Sequence, residues 1–85
     1  MAEVIVFGAD WCGDCIRAKR LLDERNVDYT WRDIVAQPEL ADQVVKYNIE
    51  AGFGPKRRIP IILIDGKILS EPSNEDLLSA LNLSE

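Results

Sequence analysis

Both cysteines of the chain lie in one short string, Trp11-Cys12-Gly13-Asp14-Cys15. A disulfide across so short a gap removes little entropy from the unfolded chain, so the spacing does not favour a purely structural bridge. The same spacing lets the second sulfur reach the first through one helical turn, so the pair can alternate between a dithiol and an internal disulfide. The spacing therefore predicts thiol–disulfide exchange chemistry.

The two sulfurs are predicted to have different roles because they have different places on a predicted helix. Cys12 falls at or just before the first turn, where unpaired backbone N–H groups and the positive end of the helix dipole stabilise a thiolate. Cys15 lies one turn further on and can attack a mixed disulfide formed on Cys12. Trp11 offers an apolar wall at the rim of this site.

Two other uses of the cysteine pair compete with redox chemistry. The cysteines could be ordinary buried core residues, although core cysteines are expected at scattered positions. A zinc site needs about four ligands, and a chain with no histidine and no further cysteine cannot supply them without carboxylates. A metal centre shared by two chains, holding zinc or an iron–sulfur cluster, stays open. The absence of histidine also excludes Ser-His-Asp triads, Cys-His protease pairs and His-rich metal sites.

The composition predicts one small domain that spans residues 1–85. The chain has 85 residues, 47% of them hydrophobic, which is enough for one core and too short for two domains. Its net charge is −5, so neither nucleic acid nor an anionic membrane is expected as a partner. The apolar run Val4–Phe7 is much shorter than a membrane span or the apolar region of a signal peptide, and we expect a soluble, cytoplasmic protein.

The elements that must position the cysteines follow from the spacing of apolar and polar residues. A continuous apolar run predicts a strand buried on both faces, and the pattern after the cysteine pair predicts an amphipathic helix. In the first half of the chain we expect a strand at 4–7, a helix from about Cys12 to Arg25 that stops at Asn26, and a strand at 27–34. A second helix is expected to begin at Gln37-Pro38-Glu39 and to continue to about Tyr47, followed by a loop at 51–55. The last elements expected are strands at 61–64 and 67–69 joined by an Asp65-Gly66 turn, and a helix from about Asn74, whose side chain caps it, to Leu81.

This element order, βαβαββα, predicts an α/β fold. The first strand, helix and second strand form a parallel βαβ unit with a right-handed crossover, and the last two strands form an antiparallel hairpin. The expected architecture is a four-stranded mixed sheet with the first strand in a central position and with three helices distributed over its two faces.

The cysteine string, the following Ile16-Arg17-Ala18-Lys19 and the Ile59-Pro60 step ahead of the hairpin together resemble the glutaredoxins over nearly the whole chain. The resemblance implies a thioredoxin fold and thiol–disulfide oxidoreductase activity. It also implies that Cys12 is the nucleophile, that Cys15 is the resolving cysteine and that Pro60 is a cis-proline facing the pair. The Ile59 backbone would then form a strand-like edge where an extended substrate can hydrogen-bond.

Within that family the chain looks most like the mycoredoxin-type branch, on the evidence of Arg58-Ile59-Pro60 and the segment Leu69–Asn74. The chain departs from ordinary glutaredoxins in having Ala9 where many have lysine, Ser70-Glu71 in place of a Gly-Gly motif that binds the glutamyl group of glutathione, and Asp14 in place of tyrosine. The residues expected to contact substrate are Trp11, Gly13, Asp14, Arg58, Ile59 and Pro60.

Thiol–disulfide exchange requires no metal and no organic cofactor, and none is expected. The electron donor is expected to be a low-molecular-weight thiol such as mycothiol or glutathione, or a flavoprotein reductase that acts directly. Because the chain departs from ordinary glutaredoxins at Ala9, Asp14 and Ser70-Glu71, mycothiol or the reductase fits at least as well as glutathione. The expected partners are disulfide-containing or thiol-adducted proteins, and the expected state is a monomer.

Two alternative functions remain open. The chain could be a redoxin that donates electrons to ribonucleotide reductase and is itself reduced by thioredoxin reductase. It could also be a non-enzymatic carrier of a [2Fe–2S] cluster, held by Cys12 of two chains in a dimer. The basic run Lys56-Arg57-Arg58 is interpreted either as a contact for a carboxylate or phosphate or as a solvated loop, and Trp31 and Phe53 as packing rather than substrate-facing residues.

Overall fold

A computed structural model of the chain describes residues 3–83. Its elements confirm the predicted order: β1 (Val4–Gly8), α1 (Gly13–Glu24), β2 (Thr30–Asp33), α2 (Glu39–Glu50), β3 (Ile61–Ile64), β4 (Lys67–Ser70) and α3 (Asn74–Ala80). The extent of the domain over residues 1–85 stays a prediction, because both ends lie outside the described residues. In the part of the chain that is described, no helix is long and apolar enough to cross a membrane.

The four strands form one mixed sheet in the order β2-β1-β3-β4. The central strand β1 pairs in parallel with β2 and antiparallel with β3, and β4 extends the sheet as an antiparallel edge. The β3–β4 hairpin turns at Asp65 and Gly66, both of which have positive φ, as a two-residue hairpin requires. The predicted α/β architecture is therefore confirmed.

Helices cover both faces of the sheet because β1 has buried side chains on both of its sides. Val4 and Val6 pack with α1 and α3 in one cluster, which includes the fully buried Ala18, Leu22 and Leu77. Phe7 points to the opposite face and packs with α2 in a second cluster. This period-two division of a continuous apolar run is what a strand between two helical layers requires. Each large aliphatic side chain buried in this way contributes about 1.5–3 kcal/mol to folding.

The predicted cap of α3 is wrong. Ser73, not Asn74, caps the helix: its backbone is extended and its side chain accepts a hydrogen bond from the Asp76 N–H at 3.1 Å. An N-cap residue must precede the first helical residue with non-helical backbone, and Asn74 already lies in the helix. The Asn74 side chain instead accepts a hydrogen bond from Arg17 Nη1 at 2.6 Å, which joins α3 to α1.

Strand β2 (Thr30–Asp33) is shorter than the predicted 27–34, and the first residue of the predicted strand, Val27, is hydrogen-bonded to the end of α1. Asn26 has a positive φ, as its predicted role of stopping the helix requires, and the Val27 N–H donates back to the Leu22 carbonyl. This bonding closes the helix in a left-handed turn and keeps Val27 out of the sheet. Helix α2, in contrast, continues to Glu50, beyond the predicted end at Tyr47, and Pro38 lies at its N-cap rather than at its first helical position.

Candidate active site

Cys12 lies at the N-cap of α1 and its sulfur makes the capping hydrogen bond. The residue has extended backbone, and its Sγ accepts the N–H of Cys15 at 3.2 Å. A helix leaves its first N–H groups without backbone partners, and those groups together with the helix dipole favour negative charge at that place. The predicted placement of Cys12 at the helix start is confirmed, and it is a placement that suits a thiolate.

Cys15 lies behind Cys12 and is fully buried. It forms a small cluster with Ala9 and Cys12 against the partly buried Trp31, Ile34 and Ile59. Burial raises the pKa of the Cys15 thiol to about 12, and the hydrogen bond with Cys12 adds to the shift. In the reduced protein near neutral pH, Cys15 is therefore a protonated thiol.

The segment before β3 faces the cysteines. The Ile59-Pro60 peptide bond is cis, as the resemblance implies, and Pro60 is buried. The Ile59 carbonyl oxygen lies 4.0 Å from the Cys12 Sγ, which is placed to donate to it. The next carbonyl, that of Pro60, accepts the Glu71 N–H at 2.8 Å. The structure thus brings Cys12, Cys15, Ile59 and Pro60 together.

A cleft of ≈ 500 Å³ opens beside Cys12. Its walls are Trp11, Ile34, Val35, Pro38, Ala41, Arg57 and Ile59. Trp11 is 73% exposed, so the predicted apolar wall at the rim is present and accessible. Arg57 supplies a cation in an otherwise apolar lining, which gives the second residue of the basic run a place at the site.

Gly13 and Asp14 do not line this cleft. Gly13 is the first residue of α1, and the space around its Cα is open. Asp14 is exposed, and its carboxylate lies 3.5 Å from Arg17 Nη2. Arg17 also donates to the Pro72 carbonyl at 3.0 Å, so Asp14 belongs to a surface network that ties α1 to the β4–α3 connection.

Arg58 is held by its own chain rather than left free for a ligand. Its Nε lies 3.3 Å from the Glu71 carboxylate, and its guanidinium stacks 3.8 Å from the centre of the Phe53 ring. Glu71 adopts a positive φ of 50°, a conformation in which glycine is more common. A carboxylate therefore stands where the resemblance implies a glycine, close to the segment that presents Ile59.

Sequence reasoning missed the contribution of Gly8, which it interpreted only as the end of a strand. A Cβ at Gly8 would lie 2.5 Å from the Cys15 Sγ and 3.0 Å from the Trp31 ring. Trp31 packs against the core, as predicted, and also against the cysteine cluster, with Lys19 Nζ 3.9 Å from its ring centre. The missing side chain of Gly8 therefore makes the space in which Cys15 is buried.

Within residues 3–83, no group of three or more Cys, Asp or Glu side chains is placed to hold a metal ion. The arrangement described above needs no metal for thiol–disulfide exchange, because a thiolate is itself the attacking group.

The Gly8→Ala substitution is expected to destabilise the reduced protein by about 1–3 kcal/mol, because an added methyl in a filled core forces a shift. The free energy of unfolding from denaturant titration measures the effect. Gly13→Ala is the matched control: its Cβ meets open space, and alanine gains up to about 1 kcal/mol over glycine in a helix. Equal stabilities of the two variants would contradict this account of Gly8.

The raised pKa of Cys15 predicts a loss of stability at alkaline pH. The unfolded chain releases the Cys15 proton above a pKa of about 9 and the folded chain only at about 12, so the unfolded state binds fewer protons between these values. The free energy of unfolding of the reduced protein should therefore fall by about 1.4 kcal/mol per pH unit as pH rises above about 9. The Cys15→Ala variant should lack this part of the slope. Parallel slopes in the two proteins would show that Cys15 is not held as a thiol.

Comparisons with known proteins agree with this geometry. A sequence profile of the glutaredoxin family matches residues 4–69. A Mycobacterium tuberculosis H37Rv protein with a provisional glutaredoxin name is 28% identical over 81 residues, which cover 94% of this chain and 90% of the relative.

Two solved structures are similar along nearly the whole chain. A variant of the thioredoxin-like protein BC3987 has a TM-score of 0.79 at 23% identity, covering 99% of this chain and 100% of its own. A glutaredoxin from Archaeoglobus fulgidus has a TM-score of 0.78 at 20% identity, covering 95% of this chain and 87% of its own. The fold is therefore thioredoxin-like. With the family profile and the cysteine pair at the start of α1, these findings support thiol–disulfide oxidoreductase activity, and the chain belongs to the glutaredoxin family.

Proposed function

We propose that the chain reduces protein disulfides, and mixed disulfides between proteins and small thiols, through Cys12 and Cys15. The observation that carries the proposal is the asymmetry of the pair. The Cys12 Sγ accepts a backbone N–H at the start of α1, whereas Cys15 is buried behind it and holds its proton. Cys12 is thereby placed to attack first, and Cys15 stays protonated until the second step.

In the first step the Cys12 thiolate attacks one sulfur of the substrate disulfide. A bond forms between Cys12 and that sulfur, the substrate S–S bond breaks, and the other substrate sulfur leaves as a thiolate that takes a proton from water. In the second step Cys15 loses its proton to water and attacks the Cys12 sulfur. The bond between Cys12 and the substrate breaks, and the remaining substrate sulfur leaves as a thiolate that takes a proton from water. The substrate gains two electrons and two protons, and Cys12 and Cys15 are oxidised to a disulfide.

The second step is favoured by the loss of an interaction. The hydrogen bond and the charge of Cys12 both raise the pKa of Cys15. Once Cys12 is bonded to the substrate, its thiolate is gone and these two contributions go with it, so Cys15 releases its proton more readily. Two equivalents of a small thiol, or a flavoprotein reductase, then reduce the internal disulfide. A small thiol can also resolve the mixed disulfide on Cys12 directly.

The substrate contacts proposed are the backbone of Ile59 and the apolar cleft behind Trp11. Pro60, which the sequence predicts as a further contact, is fully buried, and its proposed role is to shape the Ile59 segment. An extended substrate chain that hydrogen-bonds at Ile59 would direct a neighbouring apolar side chain into the cleft. Arg57 would bind a carboxylate of the substrate. Gly13 and Asp14 lie at the exposed start of α1 and can contact a substrate only at the edge of the site.

We propose that the chain acts as a mycoredoxin-type protein and that its electron donor is mycothiol or a flavoprotein reductase in preference to glutathione. The supporting observations are the buried Ala9 and the Glu71 carboxylate paired with Arg58. The proposed substrates are disulfide-containing or thiol-adducted proteins, acted on by a cytoplasmic monomer with no resident cofactor. Donation of electrons to ribonucleotide reductase and carriage of a [2Fe–2S] cluster by a dimer stay the two alternative functions.

Replacing each cysteine in turn tests the proposed roles. Cys12→Ser should abolish reduction of both protein disulfides and thiol-adducted proteins, because Cys12 is the cysteine at the start of α1 and Cys15 is fully buried behind it. Cys15→Ser should lose protein-disulfide reduction but keep part of the activity on thiol-adducted proteins, because a second small thiol can resolve the mixed disulfide. Steady-state rates with glutathione, mycothiol and thioredoxin reductase as parallel electron sources give the comparison and identify the donor.

The role assignment fails if Cys12→Ser forms a stable mixed disulfide on Cys15 at the rate at which wild type reacts. Brown, dimeric protein after purification without oxygen, together with inactivity in all three assays, would favour the cluster carrier instead.

The carboxylate of Glu71 is predicted to cancel the attraction of the Arg58 cation for anionic thiols, because the two groups are paired. Oxidised protein is treated with mercaptoacetate, mercaptoethanol and cysteamine, which carry negative, no and positive charge, and the rate of reduction of the internal disulfide is measured. In Glu71→Gln the rate for mercaptoacetate relative to mercaptoethanol should rise about threefold over wild type, and that for cysteamine should fall. At roughly 10 Å and an effective dielectric of about 60, removing one charge changes the interaction by about 0.6 kcal/mol.

Glu24→Gln is the matched control, since it makes the same change of net charge at the far end of α1. An equal change of the rate ratio in both variants would show that net charge, and not the carboxylate beside Arg58, is responsible.

A further inference from the structure

Among residues 3–83, Asn48 is the only residue with a polar or charged side chain that is buried. It lies on α2 and has no exposed surface. Burying an amide without hydrogen bonds costs on the order of 1–3 kcal/mol in proteins. An amide is therefore found in such a place only when its donors and acceptor are used.

The Asn48 amide connects three separate parts of the chain. Its Nδ2, which has two hydrogens to share, donates to the carbonyl of Val44 in its own helix at 3.1 Å and to the carbonyls of Lys56 and Arg58 at 2.9 and 3.1 Å. Its Oδ1 accepts the hydroxyl hydrogen of Ser70 in β4. One side chain thus joins α2, the segment 56–58 and the edge strand.

The segment that Asn48 holds leads directly into the candidate active site. Successive carbonyls along it have different partners: that of Arg58 meets Asn48, that of Ile59 faces the Cys12 sulfur, and that of Pro60 accepts the Glu71 N–H. The direction of the Arg58 carbonyl therefore limits where the next peptide group can lie, because the planar peptide units leave only two free dihedral angles per residue.

We propose that Asn48 is a positioning residue, which fixes the segment 56–58 and thereby the place of the Ile59 backbone relative to Cys12. Asn48 is buried and does not touch substrate, so it acts only through Ile59. The inference rests on the proposed function, in which an extended protein substrate hydrogen-bonds at Ile59. A small reagent that needs only the Cys12 sulfur should be insensitive to Asn48.

The test compares a protein substrate with a small reagent on the same variants. The protein probe is insulin, whose disulfide reduction is followed with a small thiol as electron source, and the small probe is iodoacetamide, which alkylates Cys12. Asn48→Leu is close in volume and removes every hydrogen bond of the amide, and Asn48→Ser keeps one donor. Ser70→Ala is the matched control, because it removes only the bond to Oδ1.

The expected result is a loss of about tenfold in kcat/KM for insulin in Asn48→Leu, mainly through KM, since a small misplacement of a binding group is costly. Asn48→Ser should show a smaller loss, Ser70→Ala should stay near wild type, and alkylation of Cys12 should change by less than about twofold in all three. Loss of stability alone would not lower the insulin rate selectively, because unfolded chains are alkylated faster.

An unchanged ratio of the insulin rate to the alkylation rate in folded Asn48→Leu would overturn the inference, as would an equal loss in Ser70→Ala. Asn48→Ser carries the comparison if Asn48→Leu does not fold. Wild-type protein that is alkylated at Cys12 but reduces no disulfide would mean that the proposed function itself has failed, and the inference would fall with it.

Discussion

The hydrogen bond from the Cys15 N–H to the Cys12 sulfur is the interaction on which the site depends. The first N–H groups of a helix need acceptors, and in α1 the acceptor is the atom proposed to do the chemistry. Capping the helix and stabilising the proposed nucleophile are thus one interaction. The same turn of helix directs Cys15 inward, where the side-chain-free Gly8 leaves space for its sulfur. The different positions of the two sulfurs, and the different roles proposed for them, therefore follow from a single helix start.

The sheet decides what faces that helix start. Strands β1 and β3 are antiparallel, with Phe7 paired to Ile61, so the last residues of β1 and the first residues of β3 lie at the same end of the sheet. Cys12 follows β1 after a short turn and Pro60 immediately precedes β3. The two segments meet although 47 residues separate Cys12 from Ile59. Helix α2, on the opposite face from α1, then supplies Asn48 to hold the approach to β3.

The surroundings of Cys12 are divided by chemical character. On one side lies the apolar cleft with Trp11 and Arg57; on another, Arg58 is neutralised by Glu71 and covered by Phe53. Within residues 3–83, such a site would offer apolar area and the Arg57 cation to the proposed protein substrate, and a charge-compensated surface to a small acidic thiol. Electrostatics of this type acts on selectivity more than on total affinity.

The sequence by itself determined the element order, the central position of β1, the placement of Cys12 at a helix start and the Asp65-Gly66 hairpin. Each depends on residues within a few positions of one another, where helix, strand and turn geometry is local. The cis state of Pro60 came only through the resemblance, because the trans form is the default for proline. Locally equivalent choices were missed: Ser73 and Asn74 are both good caps, and only the helix start distinguishes them. Tertiary structure alone decided that Glu71 neutralises Arg58, that Gly8 makes room for Cys15 and that Asn48 reaches three segments, since these contacts join residues whose proximity is set by sheet register and helix packing rather than by their spacing along the chain.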